Sequence, residues 1–175
     1  MSVVYITSDL HLGHKSITRF RTEFSSQKEH EDCILNGILS TVRPRDVLYI
    51  LGDCAFNQEG LNLLKAVPCR MRLILGNHDT DRSLNIKDWV GSGVFEEIHS
   101  LWKYKKAWLS HAPIHPQELR GRINIHGHVH QATIDDPRYV NVCVENTGYK
   151  PVNYQEIIKG TAYQCVEKGY IKVTS

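Results

Sequence analysis

The 175-residue sequence lacks any long apolar run, any paired-cysteine motif and any strong net charge. Nowhere do about 18 apolar residues follow one another, as a membrane-spanning helix requires, and the chain starts without a signal-peptide pattern. The five cysteines are odd in number and scattered without a CxxC spacing, which argues against a disulfide framework or a zinc ribbon. We therefore expect reduced thiols, a cytoplasmic location and no membrane partner.

The low charge also bears on partners. A formal charge of +2 is too small to indicate a nucleic-acid groove, so long nucleic acids are disfavoured, whereas small acidic substrates need only local positive charge. The composition, with 41% hydrophobic and 23% charged residues, is that of a globular protein. A chain of this length can bury one core without disulfides, so we expect a single domain over residues 1–175. The oligomeric state is open.

Three apolar runs of strand length each end in side chains that can bind metals. The runs cover residues 3–6, 47–51 and 72–75. The first leads to Asp9 and His11, the second to Asp53, and the third to Asn77, His78 and Asp79. Such endings are expected where the carboxyl ends of strands gather around one site.

Helical patterns at residues 27–42 and 59–66 separate these runs. Ser26 and Glu29 fit a capping box before the first helix, and Pro44 prevents its continuation. The alternation of strand and helix predicts an α/β layer with parallel strands.

A different pattern follows this layer. A helix is expected over residues 81–89, with Gly91 and Gly93 breaking it. Strands are then expected over residues 96–102, 106–110, 122–126 and 139–144, and they predict a second, more antiparallel sheet. A short helix over residues 155–159 and a terminal hairpin of strands 163–166 and 170–173 complete the prediction.

Seven side chains at the predicted strand ends are candidate metal ligands. They are Asp9, His11, Asp53, Asn77, His111, His128 and His130. This mixture of oxygen and nitrogen donors suits manganese, iron, zinc or nickel better than calcium or magnesium alone. Seven ligands are too many for one catalytic ion with an open position, so we expect two ions that share a carboxylate. Our choice for the shared ligand is Asp53, because its strand lies between the other two. Two ions about 3.5–4 Å apart can clamp a phosphate, which indicates phosphoester hydrolysis.

The motifs Asp9-x-His11, Gly52-Asp53, Gly76-Asn77-His78-Asp79, His111 and Gly127-His128-Val129-His130 together resemble those of the calcineurin-like metallophosphoesterases. The variant at residues 9–15 is similar to the small bacterial and bacteriophage members of that superfamily. The resemblance implies an α/β fold, a four-layer α-β-β-α sandwich with two facing mixed sheets flanked by helices.

The resemblance also implies a role for each residue. One ion would be held by Asp9, His11, Asp53 and His130, and the other by Asp53, Asn77, His111 and His128. We expect two Mn(II) ions, with Fe, Zn or Ni as alternatives. His78 would face the substrate and assist the leaving group or stabilise the transition-state charge, with Asp79 orienting it. An imidazole suits this role because it exchanges protons near neutral pH.

Each of these residues also has a structural interpretation. Alone, Asp9 or Asp53 could cap a turn, and His111 could be a buried, hydrogen-bonded histidine. Their joint occurrence at successive strand ends favours a metal site. On the substrate side, His14 and Lys15 are candidate contacts. Lys15, Arg19 and Arg21 could hold a phosphate, although charged loop residues are usually only solvated.

Three functions are compatible with the sequence. The leading one is a dinuclear-metal phosphoesterase that hydrolyses a phosphodiester, or a phosphomonoester, of a small molecule or nucleotide through a metal-bridging hydroxide. A chain this short has no room for a cap domain, and the expected open pocket favours the diester. The second is a metal-dependent nuclease acting on DNA or RNA ends, which the low net charge disfavours. The third is a non-catalytic scaffold of the same fold that binds proteins, against which the full ligand set argues.

Overall fold

The computed structural model describes residues 2–167, which form two mixed β-sheets flanked by helices and confirm the predicted fold class. The strands are β1 (Val4–Thr7), β2 (Val47–Ile50), β3 (Arg70–Ile74), β4 (Glu97–His99), β5 (Trp102–Tyr104), β6 (Ala107–Leu109), β7 (Ile123–His126), β8 (Tyr139–Asn141) and β9 (Val152–Asn153). The α-helices are α1 (Gln27–Thr41), α2 (Gln58–Leu63), α3 (Ile86–Gly91) and α4 (Tyr154–Glu167). Short 3-10 helices cover Ile17–Arg19, Leu64–Ala66, Asn77–Asp79, Pro116–Leu119 and Val144–Asn146.

The first sheet has the strand order β4-β3-β2-β1-β9. Strands β1 to β4 are parallel, as the alternation of strands and helices predicted, and β9 pairs antiparallel with β1. The carboxyl ends of β1, β2 and β3 therefore lie at one edge of this sheet.

The second sheet, β5-β6-β7-β8, differs from the prediction. Only β5 is antiparallel to its neighbour, whereas β6, β7 and β8 run parallel. The predicted strand over residues 96–102 is in fact two strands, since β4 belongs to the first sheet and β5 to the second. The chain crosses between the sheets within that stretch, which contains no glycine or proline to mark the crossing.

The hydrophobic core has two layers, and β2 lies between them. Leu48 and Ile50 belong to a cluster with residues of α1 and α2 on one side of the first sheet. Val47 and Tyr49 belong to a second cluster that includes residues of β6 and β7 on the other side. Every residue of β2 is buried, which explains why its sequence is apolar without alternation.

Helix α1 begins at the predicted residue, and one of the two hydrogen bonds of the predicted capping box is present. The Ser26 hydroxyl accepts a hydrogen bond from the Glu29 amide at 3.1 Å. The Glu29 carboxylate reaches back one residue further than expected and accepts from the Ser25 amide at 2.7 Å. Helix α3 begins later than expected, because Asn85 caps it by accepting from the Lys87 amide at 2.9 Å.

The C-terminal prediction was wrong where the structure describes it. Residues 163–166 were expected in a strand but belong to α4, which continues from the predicted short helix to Glu167. Tyr154, Ile157 and Thr161 are buried at helical spacing on one face of α4, and this packing outweighs the local strand propensity of residues 163–166. The predicted strand 170–173 lies outside the described residues. No helix in the described part of the chain has both the length and the apolar character needed to cross a bilayer.

Candidate metal centre

The seven candidate ligands converge where parallel strands of both sheets end. Asp9 and His11 follow β1, Asp53 follows β2, Asn77 follows β3, His111 follows β6, and His128 and His130 follow β7. We call these seven residues the ligand cluster. A bridge between Ser8 and Cys143 joins the segments that follow β1 and β8 beside it.

One part of the cluster surrounds His11. Its Nε2 lies 3.7 Å from Oδ1 of Asp9 and 3.7 Å from Oδ2 of Asp53. Asp9, His11 and His130 each offer a ligand atom within 4.8 Å of the other two. These atoms are close enough to bind one ion.

The other part surrounds His111. Its Nδ1 lies 2.8 Å from the Leu51 carbonyl, so in the neutral imidazole Nδ1 carries the proton and Nε2 has a free lone pair. This Nε2 lies 3.0 Å from Oδ1 of Asn77, 3.1 Å from Nδ1 of His128 and 3.5 Å from Oδ1 of Asp53. Lone pairs on oxygen and nitrogen repel one another at these distances unless a cation or a proton lies between them.

Asp53 is common to both parts. Its Oδ2 faces His11 and its Oδ1 faces His111. The Oδ1 atom also accepts a hydrogen bond from the His78 amide at 2.9 Å, which fixes the carboxylate between the two histidines.

Polar atoms without partners supply an independent test of whether a metal fits. Among the described residues, Oδ1 of Asp9 and both ring nitrogens of His11 are buried and form no hydrogen bond. The other oxygen of Asp9, Oδ2, accepts from the Ser8 hydroxyl at 2.6 Å and from the His128 amide at 2.9 Å. Unpaired buried polar groups cost free energy, and a divalent cation on the free carboxylate oxygen would remove that cost. The donor set therefore fits a metal.

The electrostatics of Asp9 agree with an ionised ligand. Burial alone would raise its pKa, but the His11 ring 3.7 Å away and the hydrogen bonds from the Ser8 hydroxyl and the His128 amide favour the ionised form, and the pKa of Asp9 falls well below its usual range. A carboxylate that stays ionised can bind a cation without first losing a proton.

The backbone at the cluster is strained. Five of the seven candidate ligands have left-handed φ angles: Asp9 (60°), His11 (52°), Asp53 (48°), His128 (70°) and His130 (49°). Each such residue costs on the order of 1 kcal/mol or more, and this kind of strain concentrates at functional sites. The fold therefore holds these side chains in positions that an unstrained loop would not give them.

Two glycines show why the sequence places glycine directly before candidate ligands. Gly52 has a φ of +81°, and a Cβ there would lie 2.6 Å from Nδ1 of His111. A Cβ on Gly127 would overlap the Ser8 hydroxyl and a carboxylate oxygen of Asp9. Any side chain at either position would therefore displace a residue of the ligand cluster.

His78 and Asp79 directly follow Asn77 in the chain, but the His78 ring forms its hydrogen bond with a different carboxylate. The Nδ1 atom of His78 lies 3.1 Å from both carboxylate oxygens of Asp81, so Asp81 makes the contact that was expected of Asp79. Asp79 is buried and accepts from the amides of Gly76, Asp53 and Cys54 at 2.7, 3.0 and 2.8 Å. Burial raises the pKa of Asp79 to about 6. Asp79 thus connects the loops after β2 and β3, and Asp81 positions His78.

Glu145 is the residue at the site that sequence reasoning missed. Its Oε1 lies 2.8 Å from Nδ1 of His130, which directs Nε2 of that ring toward the cluster. Arg21 donates to the same oxygen at 2.8 and 2.9 Å and to the Asp9 carbonyl at 2.6 Å. Arg21 is only 3% exposed, and its contacts make it a structural partner of Glu145.

The pKa of Glu145 reflects these contacts. Burial alone would raise it, but the hydrogen bond with His130 and the charge of Arg21 lower the pKa of Glu145 to about 2. No local motif marks Glu145, because its partners are 15 and 124 residues away in sequence.

A cavity of about 410 Å³ opens beside the ligand cluster. His14 lines it and stacks on Phe56, with ring centroids 4.5 Å apart. Burial lowers the pKa of His14 to about 4, so its ring is neutral near pH 7. Lys15 instead borders a shallower depression on the other side of Phe56. The cavity is also lined by His78 and by two residues of the ligand cluster, His11 and His130.

Comparison with known proteins gives one family. A family model described as calcineurin-like phosphoesterase matches residues 2–166. The gene 66 protein of Mycobacterium phage L5 is 31% identical over an alignment of 166 positions, gaps included, and the alignment covers 77% of this chain and 80% of the phage protein. An uncharacterized protein of Methanocaldococcus jannaschii is 28% identical over an alignment of 187 positions, gaps included, and the alignment covers 98% of this chain and 95% of the archaeal protein.

The fold also matches a solved structure. The crystal structure of a protein of unknown function from Aquifex aeolicus has a TM-score of 0.72 and 30% sequence identity to this chain. The match covers 91% of this chain and 99% of the Aquifex chain.

Proposed function

The chain belongs to the calcineurin-like phosphoesterase family, and we propose that it is a phosphoester hydrolase that works with two divalent metal ions. The family implies hydrolysis of a phosphoester. The observation that supports two ions is the arrangement around Asp53, whose two oxygens face different histidines, His11 and His111. One carboxylate can thereby belong to two ligand sets.

The proposed ligand sets are those that the resemblance implied. Asp9, His11, Asp53 and His130 would hold one ion, and Asp53, Asn77, His111 and His128 the other. Bound ions would neutralise charge on the phosphoryl oxygens and lower the pKa of water, so that hydroxide is available near neutral pH. The mixed oxygen and nitrogen donors favour Mn(II), with Fe, Zn and Ni as the alternatives to compare.

The chain itself supplies a proton donor for the leaving group. Because Asp81 holds Nδ1 of His78, the proton that can be given up lies on Nε2, and the ring lines the cavity. A proton delivered from Nε2 to the departing ester oxygen would stabilise the transition state. Asp79 supports this arrangement through the backbone, since it fixes the amides of Gly76 and Asp53.

We propose a small phosphorylated molecule or nucleotide as the substrate and favour a phosphodiester. The cavity beside the ligand cluster, about 410 Å³ in volume, offers space for a second ester group that a monoester does not have. A cytoplasmic location stays a prediction.

The experiment compares two chromogenic substrates, p-nitrophenyl phosphate and bis(p-nitrophenyl) phosphate. Metal-stripped protein reloaded with Mn(II) should hydrolyse the diester faster than the monoester, and Asp53→Asn should lose activity. Asp32→Asn is the matched control, because Asp32 is an exposed partner of Lys28 on the surface of α1. A reloaded wild type that binds two ions but hydrolyses neither ester, or an active Asp53→Asn variant, would contradict the proposal.

A further inference from the structure

One wall of the cavity beside the ligand cluster is a row of three aromatic rings. His14 stacks on Phe56 with an interplanar angle of 7°, and its centroid lies 5.6 Å from that of Phe20 at an angle of 27°. The row continues to the ligand cluster, because the His14 and His11 centroids are 5.9 Å apart. A continuous row of rings thus connects Phe20 to the candidate metal centre, and Phe20 is the end of the stack.

Phe20 is the outermost ring of this row and is 74% exposed. Core packing does not require it there, since Ile17 in the same turn is buried and anchors the segment. An exposed phenyl ring that lines a cavity beside a catalytic centre has a π-face free for a ligand.

Charged and polar groups accompany the aromatic wall. The guanidinium of Arg82 lies 5.4 Å from the centroid of Phe56 and lines the cavity beside His78. Gln131 also lines the cavity, as does Glu23, whose Oε1 accepts a hydrogen bond from the Tyr149 hydroxyl. The side-chain amide of Gln131 and the other carboxylate oxygen of Glu23 can pair with the polar edge of a flat ring. The cavity therefore combines a stacking surface, a cation that suits phosphate and groups that suit hydrogen bonds.

We infer that this cavity binds the nucleobase of a nucleotide substrate, with the base stacked on Phe20 and the phosphate at the metal centre. The inference rests on the proposed function and names the substrate class for it. A sugar phosphate or a lipid headgroup has no flat ring to use the exposed face of Phe20. A nucleotide has a flat ring at one end and a phosphate at the other, which matches the two ends of the cavity.

The test is a binding measurement on the full chain loaded with Mn(II). Isothermal titration calorimetry compares adenosine 5′-monophosphate with ribose 5-phosphate, which has the same sugar phosphate but no base. Stacking of one base on an aromatic side chain predicts at least about fivefold tighter binding of the nucleotide. Phe20→Ala and Phe20→Leu should remove this preference, and Phe20→Tyr should keep it because the flat ring is retained.

Val90→Ala is the matched control, since Val90 is 67% exposed and belongs to α3 outside the cavity lining. It should leave the preference unchanged. Equal affinity for the two ligands in the wild type, no binding of the nucleotide, or an undiminished preference in Phe20→Ala would overturn the inference.

A parallel assay separates failure of this inference from failure of the proposed function. The same protein is assayed with ethyl p-nitrophenyl phosphate, a diester whose non-leaving group has no ring. Hydrolysis without a nucleotide preference would overturn the base site and leave the phosphoesterase standing. A nucleotide preference that Phe20→Ala removes, in a protein that hydrolyses no ester, would support the base site and contradict the phosphoesterase.

Discussion

Oε1 of Glu145 lies 2.8 Å from Nδ1 of His130 and connects the ligand cluster to a buried arginine. The contact leaves Nε2 of His130 as the nitrogen available to a metal. Arg21 in turn holds Glu145 and the Asp9 carbonyl, so one network positions residues from two sides of the centre.

Removing this carboxylate should weaken metal binding. Glu145→Gln keeps the shape but loses the charge that orients His130, and we expect Mn(II) affinity to fall about tenfold or more. Calorimetric titration of metal-stripped protein measures this. Glu118→Gln is the control, since Glu118 pairs with Arg120 on the surface. Unchanged affinity in Glu145→Gln would show that the contact does not support the metal site.

The same carboxylate should make the metal-free protein sensitive to acid. Folding lowers the pKa of Glu145 from 4.5 to about 2, so its stabilisation is present above the unfolded pKa and is lost as the pH falls through the folded pKa. The wild type should lose on the order of 3 kcal/mol of unfolding free energy from this group over that window. Urea unfolding at several pH values should show a smaller loss in Glu145→Gln, and equal losses in both proteins would contradict the account.

Adding one methyl group at Gly127 should damage the site. A Cβ there would overlap Ser8 and Asp9, so Gly127→Ala should cost about 1–3 kcal/mol of stability and weaken Mn(II) binding. Gly160→Ala is the matched control, because a Cβ at Gly160 meets no atom within 4 Å and alanine favours the helix. The denaturation midpoint should therefore fall in Gly127→Ala and rise in Gly160→Ala. An unchanged midpoint in Gly127→Ala would contradict the predicted overlap with Ser8 and Asp9.

His78 should affect chemistry without affecting metal content. Its side chain contacts Asp81 and lines the cavity, so His78→Ala should lower kcat by about 100-fold or more while the bound Mn(II) is unchanged. Asp81→Asn should lower kcat less, because the imidazole remains. His115→Ala is an exposed control. Full activity in His78→Ala would remove the proposed proton donor.

Hydrolysis should depend little on salt. A polymer held through many phosphates loses affinity steeply as salt rises, whereas a small diester does not. Between about 50 and 200 mM salt we expect kcat/KM for bis(p-nitrophenyl) phosphate to change less than about threefold. Faster, strongly salt-dependent hydrolysis of a single-stranded oligonucleotide would instead favour the nuclease that the sequence left open.

The sequence predicted β1, β2 and β3 of the first sheet because their signals are local, whereas β9 was not predicted. An uninterrupted apolar run marks β2, and Ser26 marks the start of α1 through the cap that it forms. The split between β4 and β5 could not be predicted, since one short stretch serves two sheets. The second half of helix α4 was predicted as a strand. The helix depends on tertiary packing of its buried face, from Tyr154 to Thr161, which the sequence does not show locally.

The candidate site also divides into residues with local sequence signals and residues placed by tertiary contacts. The seven candidate ligands could be predicted because each lies at a strand end or shortly after one. Glu145, Asp81 and Phe56 lie outside the strand-end motifs, so the sequence did not mark them. Glu145 meets Arg21 across 124 residues, and a contact of this kind exists only in the folded chain.

The most direct test of the account counts metal ions against activity. Metal-stripped protein is titrated with Mn(II), and hydrolysis of bis(p-nitrophenyl) phosphate is followed as a function of bound ions per chain. The account predicts no activity without metal and a rise that saturates at two ions, because Asp53 faces both His11 and His111. Full activity in the metal-free protein, or saturation at one ion, would contradict it.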